Sequence, residues 1–204
     1  MQQKNHWETV YSSKSTDSVS WYQERAGRSL RLVHETVLPV SASIIDVGGG
    51  ASTLVDDLLG EGYSSVTVLD LSAAALSAAR TRLGERAESV TWIEANITDV
   101  TLPAGAYDVW HDRAVFHFLT TTEERRVYIA TLMRALKPDG HVIMATFADD
   151  GPIQCSGLSV MRYSPSALHA EFGSAFTLLK QEREEHHTPS GAVRKFIYCY
   201  FRRV

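Results

Sequence analysis

Residues 44–53 read Ile44-Ile45-Asp46-Val47-Gly48-Gly49-Gly50-Ala51-Ser52-Thr53. Ser43 to Val47 is a short apolar strand, and three successive glycines close it. From Ser52 to Leu59 the spacing puts Leu54, Val55, Leu58 and Leu59 on one helical face, with Gly60 as the stop. Strand, glycine turn and helix together open a βα unit. Glycines at such a turn let the backbone approach a ligand closely.

The same rhythm continues in both directions. Ser65–Leu69 reads as a second strand, and Ser72 caps an alanine-rich helix that ends at Leu83 before Gly84. Val90–Ile93 and Tyr107–Trp110 read as strands three and four. A helix over about Thr121–Leu136 carries Glu123 and Glu124 in its first turn. Lys137-Pro138-Asp139-Gly140 is a turn, and His141–Phe147 is a fifth, almost wholly apolar strand suited to the centre of a sheet. Strands and helices alternating at this spacing imply right-handed crossovers and a parallel sheet. Ser164-Pro165 opens a short helix through Phe172. Phe176–Glu185 and Val193–Arg202 then flank a Pro/Gly turn as an antiparallel hairpin.

Upstream, Leu30 to Val37 reads as a helix ending before Pro39. Residues 1–20 are polar and read as a mobile arm, yet carry Trp7 and Tyr11, with Trp21-Tyr22 next. This divides the chain into an N-terminal arm and helix, residues 1–38, a candidate lid, and a main domain over residues 39–204.

Composition bounds the function. The 204 residues are 44% hydrophobic and 22% charged, which fits one domain with a sizeable core. A net charge of −4 and the lack of a Lys/Arg cluster give no general pull toward nucleic acid. No apolar run is long enough to cross a membrane, and no secretory leader is visible, so a cytoplasmic location is expected. Cys155 and Cys199 form no Cys-x-x-Cys pair, and His111 with His117 lack a third ligand, so no metal is expected.

The glycine turn is not a phosphate loop. A dinucleotide fingerprint needs a third glycine where Thr53 stands, and no Gly-Lys-Ser/Thr follows. Asp46 at the end of the strand repels a pyrophosphate and suits a cation. Asp70 ends strand two, 22 residues after Gly48, where a carboxylate accepts from ribose hydroxyls. A ligand with a ribose, a cationic portion and no phosphate matches S-adenosyl-L-methionine. The competing reading is a plain glycine turn with Asp70 capping a helix beside Ser72.

From about Ile44 onward the chain resembles the class I S-adenosylmethionine-dependent methyltransferases. Asp46-Val47-Gly48-Gly49-Gly50 looks like that family's first motif, and Val68-Leu69-Asp70 like its second. Glu94-Ala95-Asn96-Ile97 resembles the third, with Asn96 where an acidic residue usually meets the adenine amino group. Tyr107-Asp108-Val109 and Leu136–Gly140 are similar to later motifs. The resemblance implies donor-binding roles for Asp46, Gly48, Gly50, Asp70, Leu71, Asn96 and Ile97. It also implies an α/β fold, a Rossmann-like doubly wound seven-stranded sheet of order 3-2-1-4-5-7-6 with strand seven antiparallel.

Ligands of such sheets bind beyond the carboxyl ends of the strands. Trp110–Phe118 follows strand four there, so His111, Asp112, Arg113 and His117 are the candidate catalytic residues: a histidine base, an amine-orienting acid and an anion-holding arginine. Each has a bland reading as a turn cap, ion-pair partner or buried histidine. Trp21, Tyr22, Arg162 and Tyr163 are candidate substrate contacts. Trp7, Tyr11, Trp21 and Tyr22 are a candidate aromatic lid over a sulfonium.

The expected activity is in-line methyl transfer to a small-molecule nucleophile. The alternative is a protein lysine. Trp7–Tyr11 with Trp21-Tyr22 resembles the small lysine methyltransferases of the translation-factor type, although Asp112–His117 departs from their pattern and Asp112-Arg113 is also similar to thiol methyltransferases. A non-catalytic donor-binding scaffold and a nicotinamide oxidoreductase stand further off. Neither a nucleic-acid nor a membrane partner is expected.

Overall fold

A computed structural model describes residues 2–204. Its seven main strands are β1 (Ser43–Val47), β2 (Ser65–Asp70), β3 (Val90–Glu94), β4 (Tyr107–Arg113), β5 (Leu136–Phe147), β6 (Phe176–His187) and β7 (Val193–Arg203). They form one sheet of order β3-β2-β1-β4-β5-β7-β6. β1 through β5 pair in parallel; β7 runs antiparallel to both β5 and β6. This is the expected doubly wound Rossmann-like sheet.

Six helices cover it: α1 (Gln2–Ser13), α2 (Gly27–His34), α3 (Leu54–Gly60), α4 (Ala73–Leu83), α5 (Thr122–Ala135) and α6 (Pro165–Phe172). One core lies between the sheet and α5 and α6, with Trp110, Tyr128, Leu132, Leu168 and Phe172. The other lies under α2, α3 and α4, with Leu32, Ile44, Leu54, Leu58 and Val109. The central strands are therefore buried on both faces, which explains their unbroken apolar sequence.

Local signals hold where short-range chemistry is sufficient. Ser72 Oγ accepts from Ala75 N at the start of α4. Thr121 and Glu124 form a capping box at α5. Three readings change. The polar arm is helical over Gln2–Ser13. The turn at residues 137–140 is a bulge inside one long strand, with Asp139 at φ +60°, where the pairing with β4 shifts register. β4 runs on to Arg113 rather than stopping at Trp110. That last difference decides where the predicted catalytic residues point.

No helix among the described residues is long and apolar enough to cross a membrane. No cluster of three or more His, Cys, Asp or Glu that could hold a metal occurs among them.

Candidate active site

The strand order reverses between β1 and β4, and a cleft opens above that point. The glycine turn forms one wall. Gly48 sits at φ +74°, and a Cβ there would lie 2.0 Å from Val115 Cγ2. A Cβ on Gly50 would lie 2.6 Å from both Ala75 Cβ and Asp70 Oδ2. Only glycine fits these two places.

Asp70 lines the cleft from the end of β2. Its Oδ2 accepts from Gly50 N at 2.9 Å, and its Oδ1 accepts from Ser72 N at 2.8 Å. Each oxygen keeps a further lone pair. Burial pushes this carboxyl up to about 6, against the opposing pull of the two backbone N–H groups. Leu71, Ala95, Asn96 and Ile97 continue the wall. Asn96 Oδ1 already accepts from Thr98 N at 3.1 Å, so its amide is fixed within its own turn. Asp46 does not line the cleft. It lies beneath the glycine turn with Oδ1 bonded to His111 and Oδ2 buried without a partner.

Helix α1 closes the opposite side. Glu8 accepts from Ala73 N at 2.7 Å and Ala74 N at 3.1 Å, so it caps α4 two residues beyond Leu71. Lys4 pairs with Glu94 at the end of β3. Trp7, Tyr11, Trp21 and Phe118 all line the cleft and pack on one another, with Trp7 5.4 Å from Trp21 and 5.2 Å from Phe118, edge to face. Trp21 Nε1 donates to Tyr11 Oη at 3.0 Å. Glu8 had no legible signal, because its partner is a helix terminus 65 residues away.

Of the four catalytic candidates, the structure brings one to the cleft. Because β4 is longer than expected, residues 109–113 alternate across the sheet. His111 points under α2 and is 2% exposed. Asp112 points under α5 and is fully buried. Its Oδ2 accepts from Tyr128 Oη at 2.6 Å, and its Oδ1 accepts from Val115 N at 2.9 Å. It holds the loop that carries Val115 to the glycine turn. His117 is fully buried against Phe118 and Phe147, and burial lowers it to about 3. A base must reach its proton, and neither His111 nor His117 lines the cleft.

Arg113 does line it, with Nε and Nη1 engaged and Nη2 buried without a hydrogen-bond partner. Nε bonds Tyr198 Oη at 2.9 Å, Nη1 bonds Trp21 O at 3.0 Å, and Nη2 lies 3.5 Å from Glu184. Arg113 thus ties the lid segment to the sheet through Nε and Nη1. Tyr22 lines a neighbouring cavity with Thr16, Ser52 and Thr53. Arg162 bonds Gly151 O, and Tyr163 is buried beside Phe116; neither reaches the cleft.

The ionisable side chains lining the cleft, among the described residues, are Asp70, Tyr11, Arg113 and Cys155. Burial pushes the Cys155 thiol up to about 11 and raises the Tyr11 phenol further still. Neither is poised to take a proton near neutrality.

S-adenosylmethionine fits these residues. Asp70 offers spare lone pairs for ribose hydroxyls, Gly48 forms part of the wall with no side chain of its own, and beneath the turn Asp46 Oδ2 is a buried acceptor with no protein partner. When bound, that group supplies a methyl already activated by its sulfonium.

Comparison with known proteins agrees. A methyltransferase-domain family model matches residues 45–144. Mouse EEF1A lysine methyltransferase 2 is 22% identical over 70% of this chain, and the chain spans 64% of that protein's length. The N-methyltransferase NodS from Bradyrhizobium japonicum, solved with S-adenosyl-L-homocysteine, superposes with a TM-score of 0.73 at 17% identity, covering 99% of this chain and 97% of NodS. A structure from work on conversion of a disulfide bond into a thioacetal group in echinomycin biosynthesis gives 0.80 at 20% identity, covering 98% and 92%. The matched domain, the strand order and the donor cleft converge: the chain belongs to the class I S-adenosylmethionine-dependent methyltransferases.

Proposed function

We propose that this enzyme methylates a small-molecule nucleophile enclosed at the aromatic end of the donor cleft. The observation that carries this reading is the docking of α1. Glu8 and Lys4 fasten the helix at two points, and Trp7 and Tyr11 roof the cleft. The roof excludes water, and the walls align an acceptor with the methyl group. Among the described residues no base poised near neutrality lines the roofed end of the cleft, so the acceptor brings its own lone pair, as a neutral amine or a sulfur does. A protein lysine enters as an ammonium with an ordinary pKa near 10.4. Asp70, the one carboxylate lining the cleft among the described residues, is committed to Gly50, Ser72 and the ribose position.

A second reading, a protein lysine acceptor, is favoured by the likeness to mouse EEF1A lysine methyltransferase 2. One experiment separates the two. The enzyme is incubated with methyl-labelled donor and a cell extract split by ultrafiltration. Label is expected in the small-molecule filtrate. Label confined to a protein band, at lysine, would replace the first reading with the second.

The fastened roof has a kinetic consequence. Glu8→Ala removes the cap that α1 places on α4, a contact of the kind that contributes about 1 kcal/mol. Dissociation of S-adenosylhomocysteine, followed by tryptophan fluorescence in stopped flow, is expected to quicken by about fivefold. An unchanged rate would show that α1 does not gate release.

A further inference from the structure

Ser29 on α2, Asp46 on β1 and His111 on β4 form a buried chain. Asp46 and His111 are register neighbours in the sheet. His111 Nδ1 donates to Asp46 Oδ1 at 2.6 Å, and Nε2 meets Ser29 Oγ at 2.8 Å. With Nδ1 as donor to the carboxylate, the neutral ring accepts from the serine hydroxyl at Nε2. None of the three is more than 2% exposed.

The order serine, histidine, aspartate is that of a hydrolytic relay. A nucleophile must touch its substrate, however, and Ser29 lines neither the donor cleft nor the cavity beside it. The chain has a different consequence. It occupies one oxygen of Asp46 and leaves the other, Oδ2, buried and unpartnered. Oδ2 faces the glycine turn: a Cβ built on Gly49 would lie 2.3 Å from it.

We propose that His111 and Ser29 are positioning residues for the donor. They lock the Asp46 carboxylate so that Oδ2 is presented through the glycine turn to the α-ammonium of the donor's amino-acid tail. This rests on the donor-site assignment above and adds two residues to it, one of them from the N-terminal segment.

The test compares two ligands on the full chain by calorimetry. S-adenosylhomocysteine carries the ammonium; 5′-methylthioadenosine keeps the adenosine and sulfur but lacks the amino-acid tail. His111→Leu is expected to weaken the first about tenfold and leave the second within about twofold. His111→Asn, whose amide can still donate to Asp46, is expected to retain most of the affinity. Ser29→Ala supplies the same comparison with less disturbance of the core, should His111→Leu fail to fold. An equal loss for both ligands, or no loss for either, would overturn the proposal. So would wild-type protein that binds both ligands equally. Wild-type protein that binds neither would instead remove the donor site itself.

Discussion

Asp70→Ala is expected to weaken S-adenosylhomocysteine binding by about a hundredfold or more. The carboxylate offers two charge-assisted acceptors to the ribose, each of a kind worth roughly 1.5–3 kcal/mol, and it also holds Gly50 N in place. Asp70→Asn keeps one acceptor and is expected to lose about tenfold. The same group dictates a pH dependence. In the ligand-free protein, burial raises it to about 6. Ribose hydroxyls donate best to the ionised form, so binding lowers that value and expels a proton from the acid form. Affinity should therefore be flat above about pH 7 and fall as pH drops through about 6, by up to about tenfold per unit. Asp70→Asn should abolish that slope. Calorimetry across this range reads both effects, and a wild-type slope that survives in Asp70→Asn would assign the titration to another group.

Gly48→Ala is expected to damage fold and donor site together. The left-handed backbone at φ +74° costs an alanine roughly 1–2 kcal/mol. The new methyl would also meet Val115 Cγ2 at 2.0 Å. Val115 has little freedom to retreat: its N–H is held by buried Asp112, and Ala114 N is bonded to Ala145 O while itself at φ +72°. Overpacking of this kind adds about 1–3 kcal/mol. The total, about 2–5 kcal/mol, corresponds to a fall in Tm of roughly 5–15 °C. Adding Val115→Ala removes the clash but not the backbone strain, so the double variant should recover about half of the loss. Gly60→Ala is the control: a Cβ there meets nothing within 4 Å, and it should be neutral or slightly stabilising. A Gly48→Ala protein with unchanged melting and affinity would show that the loop yields.

The fold was legible because it rests on short-range signals repeated in order. Strand–glycine–helix at residues 44–59, Ser72 and Gly84 bracketing α4, and the capping box at Thr121 each involve neighbours within a few residues. Their alternation implies a parallel sheet with right-handed crossovers, and the resemblance to the methyltransferase family implies its order. Part of the cleft wall was legible for the same reason. Gly48, Asp70, Leu71, Asn96 and Ile97 sit at strand ends, and strand ends of a parallel sheet converge on one edge.

The acceptor side was not legible in that way. Whether His111, Asp112 and Arg113 faced a ligand depended on three more residues of strand, and pairing with β1 and β5 supplies those. Strand alternation then sent His111 under α2, Asp112 under α5 and only Arg113 to the cleft. The aromatic residues of the polar stretch marked it as a candidate lid, but nothing local showed how it would be fastened, because Glu8 meets α4 and Lys4 meets Glu94 across the fold. What the sequence by itself determined is the alternation of strands and helices that makes a parallel sheet, with the glycine turn and Asp70 at its strand ends, all products of local periodicity. What only the tertiary structure decided is which polar side chains touch the cleft, since burial and pairing over 65 residues or more are set by packing and not by any neighbour in the chain.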